Sequence, residues 1–136
     1  MRSRAAKLPI PLVALCVALS LAASGCNRRV SSAEIPASEL LADINANEAP
    51  LILDVRTPEE FARGHVPGAR NISIDALAQR VGEISDHRAE EIVVYCERGP
   101  RAERASHLLA DAGFVSVRHL GGDMSGWRAS GLPIDR

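Results

Sequence analysis

The chain has very few lysines, aromatic residues and cysteines. Its 136 residues include four aromatic side chains and 16 basic ones, of which only Lys7 is a lysine. Without a later lysine, the rest of the chain has no amine for Schiff-base chemistry and no P-loop lysine. The three cysteines stand at positions 16, 26 and 96, so the chain after residue 26 has a single thiol. This count excludes a disulfide framework and a four-ligand zinc cluster there.

The charge balance becomes acidic once the first 25 residues are set aside. The whole chain has a formal net charge of −1, but residues 1–25 hold three bases and no acid. The remaining 111 residues therefore carry 13 bases against 17 acids. A nucleic-acid binder needs a basic face and aromatic rings for base stacking, so we expect no nucleic acid as a partner. A length of 111 residues suits one small domain with a core of its own.

The N-terminus has the pattern of an export signal. Met1–Lys7 is basic, and Leu8–Ala23 is an apolar stretch shorter than the about 20 residues of a membrane-spanning helix. Small residues then lead into Cys26, which resembles a bacterial lipobox, where a signal peptidase cuts before a lipidated cysteine. We predict a signal peptide over residues 1–25, a tether over 26–33 with Cys26 acylated, and a protein anchored on the periplasmic side of a membrane. The alternative is an ordinary secretory signal, which would leave a soluble periplasmic protein.

Residues 34–136 have the pattern of one α/β domain. The run at Leu51–Val55 predicts a strand buried on both faces of a parallel sheet, and Glu91–Tyr95 predicts another strand. Strands that alternate with helices predict an α/β domain with a mostly parallel sheet. The predicted order is a helix from an N-cap at Ser38 to about Asn47, a strand over 51–55, a helix that a Thr57–Glu60 capping box opens, a strand over 71–74, a helix capped by Asp75, a strand over 91–95, a helix over 101–112, a strand over 115–120 and a short helix near 125–129.

Cys96 stands where this fold class places reactive groups, directly after a predicted strand and shortly before a helix. The N–H groups of such a turn and the helix N-terminus favour a thiolate and hold an anion, and Arg98 and Arg101 are placed to reinforce both effects. Gly99 permits a positive φ, and Pro100 pre-forms the first helical turn. The alternative interpretation is that Cys96 is a small buried apolar side chain.

Four segments, in order along the chain, resemble the signatures of the rhodanese homology domain. They are Leu53–Phe61, Gly64–Ala69, Cys96–Arg101 and Leu120–Pro133. The match extends over about residues 34–136. The resemblance implies the rhodanese fold, a mostly parallel five-stranded sheet flanked by helices on both faces, and a sulfurtransferase in which a cysteine carries sulfur.

The resemblance also implies a role for each residue of the loop. Cys96 becomes the nucleophile, and the N–H groups from Glu97 to Arg101 form the anion cradle. The thiolate attacks the sulfane sulfur of a small anionic donor such as thiosulfate, and the persulfide then passes to cyanide or a thiol, without a metal or an organic cofactor. Arg101 would hold the departing sulfonate. Glu97 departs from a favourable pattern, because an acid beside the loop disfavours the thiolate and repels a dianionic donor.

The rest of the signature predicts supporting roles. Asp54 and Arg56 leave a strand on the same side as Cys96, and we predict an ion pair that fixes the loop after that strand. His65 lies in a glycine- and proline-containing turn and is predicted to be structural rather than a general base. Trp127 is predicted to close the core. The spacing of the other histidines suggests no metal ligands, and we expect a monomer.

Two other functions stay open. A cysteine-dependent phosphatase or arsenate reductase uses a similar strand, loop and helix, but resembles Cys-x5-Arg, whereas Arg101 follows Cys96 after four intervening residues. A non-catalytic interaction module, or a carrier that takes sulfur from another protein, would use the same fold for docking.

Overall fold

The computed structural model describes residues 33–136. The predicted signal peptide, Cys26 and the tether up to residue 32 lie outside the described residues. The five strands are β1 (Glu34–Ile35), β2 (Leu51–Asp54), β3 (Arg70–Asn71), β4 (Glu91–Tyr95) and β5 (Ser116–Leu120). The helices are α1 (Ala37–Ala46), α2 (Pro58–Ala62), α3 (Ile74–Arg80), α4 (Pro100–Asp111) and α5 (Asp123–Ala129), with a 3₁₀ segment at Val81–His87. Within residues 33–136, no helix has the length and apolar character needed to cross a bilayer.

The strands form one parallel sheet in the order β1-β5-β4-β2-β3. This confirms the predicted α/β class and its five-stranded parallel sheet. The two central strands, β4 and β2, pair over four residues with Leu53 opposite Val94. Their carboxyl ends therefore meet at the same edge, which is where a parallel α/β sheet presents its functional groups.

Helices cover both faces of the sheet, as predicted. On one face, α3, the 3₁₀ segment and α4 pack on the strands, and on the other face α1 and α5 do so. We call the core under α3, the 3₁₀ segment and α4 the first core, and the core under α1 and α5 the second core. Neighbouring residues of one strand point into different cores: in β4, Val94 packs in the first core and Val93 in the second. Each core residue loses apolar surface to the helices, which stabilises the fold by roughly 25 cal/mol per Å² buried.

Several predicted element ends are wrong by a few residues. Helix α1 begins at Ala37 after Pro36, whose carbonyl accepts the N–H groups of Glu39 and Leu40, so Ser38 is not the N-cap. The strand predicted over 71–74 is limited to β3, because the chain turns at Ser73 into α3. Asp75 is accordingly the second residue of that helix rather than its cap.

Two further ends differ for related reasons. The last strand begins at Ser116 rather than Val115, which is 55% exposed. Helix α5 begins at Asp123, two residues before the predicted start. Strand β1 has only two residues, which is too short for a periodic pattern, and the residues alone did not predict it.

The capping box that opens α2 is present as predicted. The Glu60 N–H donates to Thr57 Oγ1 at 3.2 Å, and the Thr57 N–H donates to Glu60 Oε2 at 3.0 Å. With Pro58 as its first residue, this five-residue helix is fixed at its start by local bonds. It holds the Glu60 side chain at the edge of the sheet where β2 and β4 end.

The C-terminal segment closes one side of the domain. Trp127 is fully buried, and its Nε1–H donates to the Pro133 carbonyl at 2.7 Å, which confirms that this ring belongs to the core. Further on, Asp135 and His65 exchange two main-chain hydrogen bonds at 3.0 Å each. The turn around His65 is therefore joined to the end of the chain.

Candidate active site

The loop after β4 holds Cys96 at the carboxyl edge of the sheet. The Gly99 N–H donates to Cys96 Sγ at 3.1 Å, and α4 begins at Pro100 with its N-terminus toward the loop. Gly99 has a φ of +112°, which confirms that this turn needs a glycine. Cys96 is 1% exposed and packs at the edge of the first core. The sulfur is thus shielded from bulk water while a backbone donor stabilises negative charge on it.

Helix α5 is bonded to the same loop through its first residues. The Cys96 N–H donates to Asp123 Oδ1 at 2.9 Å, and the Cys96 carbonyl accepts the Met124 N–H at 3.0 Å. The same Asp123 oxygen lies 2.9 Å from His119 Nε2 at the end of β5. Sequence reasoning missed both Asp123 and His119. The available signal was an acid directly after two glycines, Gly121 and Gly122.

Arg101 is engaged by a carboxylate. Its Nη1–H and Nη2–H donate to Glu60 Oε2 and Oε1 at 2.7 and 2.9 Å. This bidentate pair lowers the pKa of Glu60 to about 2, although partial burial of the carboxyl acts in the opposite direction and raises the pKa. It also raises the pKa of Arg101, to which the nearby Cys96 thiol contributes. The cation that the sequence predicted for the sulfonate therefore lies beside Cys96, but an anionic donor would have to compete with Glu60 for it.

Arg98 takes a different direction from Arg101. Its side chain is exposed and lines a cavity of about 480 Å³ together with His119 and two glutamates, Glu34 and Glu103. The two arginines that flank the predicted cradle therefore belong to different surroundings. Arg101 is the one that the structure brings to the thiol.

Asp54 and Arg56 form the predicted ion pair, and both are buried. Arg56 Nε–H lies 3.1 Å from each Asp54 oxygen, and Arg56 Nη2–H donates to Asp54 Oδ2 at 2.7 Å. The same Nη2 also donates to the Gly64 carbonyl at 2.8 Å, and the guanidinium lies 5.7 Å from the Tyr95 ring centroid. These contacts tie the loop after β2 to the end of β4 and to the turn before β3.

Glu97 is paired with two arginines, which the sequence did not predict. Arg56 Nη1 lies 3.5 Å from Glu97 Oε2, and Arg128 Nη2 forms a salt bridge with Glu97 Oε1. The expected repulsion of a donor by Glu97 is therefore reduced by two cations. Because Arg128 lies in α5, this pair also connects the loop with that helix.

A cavity of about 300 Å³ opens next to the loop. It contains charges of both signs, with three arginines and two glutamates among its lining residues. These residues are Arg56, Glu60, Arg63, Gly64, Glu97, Arg128 and Ile134. Its size and charge suit a small anionic molecule. Among residues 33–136, no group of three or more His, Cys, Asp or Glu side chains is placed to hold a metal ion.

His65 lies in packing contacts. Its ring stacks on Phe61 with centroids 3.6 Å apart, and Nδ1 lies 3.0 Å from the Phe61 carbonyl. Its main chain pairs with Asp135. These contacts agree with the structural role predicted for His65.

The family model described as Rhodanese-like domain matches residues 36–130. An HTH-type transcriptional regulator of Mycobacterium tuberculosis is 43% identical over an alignment that covers 74% of this chain and 44% of that protein. The chain thus spans less than half the length of this relative. A sulfurtransferase of Allochromatium vinosum is 34% identical, with 74% of this chain and 92% of that protein covered. A crystal structure of a rhodanese-related protein from Thermoplasma volcanium superimposes with a TM-score of 0.65 at 28% identity, covering 76% of this chain and 97% of that one.

The buried Asp54–Arg56 pair predicts a large loss of stability when one partner is removed. Arg56→Met leaves the Asp54 carboxylate buried and uncompensated, so we expect the free energy of unfolding to fall by about 3 kcal/mol. Urea unfolding at neutral pH measures this change. The matched control is Arg80→Met, which breaks the pair of Arg80 with Glu83, whose side chains are 46% and 41% exposed. The control should lose less than about 1 kcal/mol, and equal losses in both variants would contradict the assignment.

Proposed function

Because the chain belongs to the rhodanese-like domain family, we propose that it is a sulfurtransferase that carries a sulfane sulfur on Cys96. The proposed donor is a small sulfur anion such as thiosulfate, and the proposed acceptor is a thiol or cyanide. The observation that carries the proposal is the placement of Cys96 Sγ, 3.1 Å from the Gly99 N–H at the start of α4. A sulfur atom in this position has a donor for its negative charge before and after it accepts a second sulfur.

The proposed reaction is a double displacement. The Cys96 thiolate attacks the outer sulfur of thiosulfate, a new S–S bond forms, and the S–S bond of the donor breaks with sulfite leaving with the electron pair. Cyanide then attacks the terminal persulfide sulfur, and thiocyanate leaves while the Cys96 thiolate is restored. Atoms and electrons balance over the two steps, so no external oxidant or reductant is needed.

The backbone donors and Arg101 have distinct parts in this mechanism. The Gly99 N–H stabilises charge on Cys96 Sγ, and the N–H groups of Glu97, Arg98 and Arg101 would form the cradle for the incoming anion. Arg101 binds the sulfonate and Glu60 at the same time, because a guanidinium has five N–H donors and only two of them bond Glu60. The loop of four residues between Cys96 and Arg101 supports sulfur rather than phosphate chemistry, since it is one residue shorter than the phosphatase pattern.

The sulfur-carrying step can be tested on the purified protein. After incubation with thiosulfate, we expect an intact-mass gain of one sulfur atom and, on addition of cyanide, formation of thiocyanate. The control variant Cys96→Ser keeps a small polar side chain but has no thiolate, and should show neither effect. No mass gain and no thiocyanate with the unaltered protein would reject thiosulfate as the donor. Hydrolysis of an aryl phosphate that depends on Cys96 would instead support a phosphatase.

We also propose that the protein is exported and held at the membrane by a lipid on Cys26. The support is the basic and apolar pattern of residues 1–25 and the small residues before Cys26. Fractionation of bacterial cells that express the full chain tests this. Cys26→Ala should move the protein from the membrane to the soluble periplasmic fraction, with Cys16→Ala as a matched control that leaves it in place. Membrane association that survives Cys26→Ala would overturn the proposed anchor.

A further inference from the structure

Asp123 contacts both the nucleophile's main chain and a histidine. Its Oδ1 accepts the Cys96 N–H at 2.9 Å and lies 2.9 Å from His119 Nε2. A Cβ added to Gly99 would lie 3.4 Å from Asp123 Oδ2, so the second oxygen faces the glycine whose N–H donates to the sulfur. One carboxylate therefore accepts the N–H of Cys96, which starts the loop, and faces Gly99, at which the loop turns.

The backbone at Asp123 has an unusual conformation for its residue type. Asp123 has a φ of +53°, one of two non-glycine residues with positive φ among residues 33–136, and it is 5% exposed. Glycine adopts positive φ without strain, and burial of a carboxylate is unfavourable unless its charge is compensated. The presence of an aspartate here, despite its backbone strain and its burial, indicates that the carboxylate has a role in the loop beyond forming the turn.

We propose that Asp123 and His119 are positioning residues that hold the Cys96 loop as a charge-compensated pair, so that protonation of His119 increases the reactivity of the Cys96 thiol. Asp123 fixes the main chain of Cys96, and His119 neutralises the charge that Asp123 would otherwise place beside the sulfur. The proposal rests on the proposed function only in taking Cys96 as the nucleophile.

His119 has several charged neighbours. Asp123 faces it from α5, Glu34 from β1 and Glu103 from α4, while Arg98 lines the same cavity from the loop. The hydrogen bond with Asp123 raises the pKa of His119, against the opposing effect of burial. The three acids favour the imidazolium, and Arg98 opposes it. The pair is thus neutral overall while His119 is protonated, and it carries one negative charge after the proton leaves.

The sign of the effect on the sulfur follows from Coulomb's law. A negative charge on Asp123 that lacks its cation repels a thiolate at Cys96, whereas the protonated pair does not. Arg101 stays charged throughout, so it supplies no pH dependence in the neutral range. Loss of the His119 proton should therefore reduce the thiolate fraction relative to a site whose pair stays neutral.

Two variants remove opposite charges from the pair while keeping its hydrogen bonds. His119→Gln retains an N–H donor for Asp123 but never carries a positive charge. Asp123→Asn retains an oxygen for the Cys96 N–H but carries no negative charge, and asparagine tolerates a positive φ. The matched control is His87→Gln, which alters a histidine that pairs with Glu90 at an exposed position.

The experiment measures alkylation of Cys96 by iodoacetamide between pH 5 and 9 in the full-length protein. The tryptic peptide 89–98 contains Cys96 as its only cysteine, so its mass reports this thiol separately from Cys16 and Cys26. We expect His119→Gln to displace the pH–rate profile by about one unit toward alkaline pH, a rate about tenfold lower near neutrality. Asp123→Asn should displace it toward acid pH, and His87→Gln should leave it unchanged.

The proposal would be overturned if the pH–rate profiles of both variants moved in the same direction, or if neither moved. A role in folding alone would not move the two profiles in opposite directions. If His119→Gln does not fold, the acid displacement of Asp123→Asn decides the question by itself. Alkylation needs no sulfur donor, so the outcome is independent of the proposed function. Opposite displacements of the two pH–rate profiles without any sulfur transfer would reject the proposed sulfurtransferase activity but support the role of the Asp123–His119 pair. Normal sulfur transfer without these displacements would support the activity and reject the role of the pair.

Discussion

The loop that follows β4 keeps its shape because three hydrogen bonds join its main chain to the start of α5. Asp123 accepts the N–H of Cys96, and the carbonyl groups of Cys96 and Glu97 accept the N–H groups of Met124 and Ser125. Without these bonds, buried polar groups of the loop would lack partners, which costs about 1–3 kcal/mol for each group. The orientation of the Gly99 N–H toward the sulfur depends on this attachment. The candidate site is thus a joint product of β4 and α5, which are distant in sequence.

The charges around the loop follow from the near absence of lysine. Anion binding rests on backbone N–H groups and arginines, and three arginines near the loop are paired with acids: Arg56 with Asp54, Arg101 with Glu60, and Arg128 with Glu97. These pairs limit anion binding, because a donor anion has to compete with the carboxylate that each arginine already binds. The site is consequently pre-formed, but it is not strongly cationic.

The sequence predicted the elements whose signal is local or strongly periodic. The buried runs of β2 and β4, the capping box at Thr57 and the positive φ of Gly99 all depend on residues close together in the chain, and all are confirmed. The partners of Glu97 and the contact of Asp123 with Cys96 were not predictable in this way. They arise only when the crossover connections bring α5 beside β4, and no spacing within the chain encodes them. Strand β1 was missed for the opposite reason, since two residues are too few for a pattern.

The path of the sulfur atom tests the central claim most directly. Thiosulfate with an isotope label in its outer sulfur would be mixed with the protein, and the label would be followed first to the tryptic peptide 89–98 and then, after cyanide is added, to thiocyanate. We predict that the label is bound to Cys96 before cyanide is added, and that an equal amount of label then appears in thiocyanate. Labelled thiocyanate formed at full rate while Cys96 never carries the label would contradict the account.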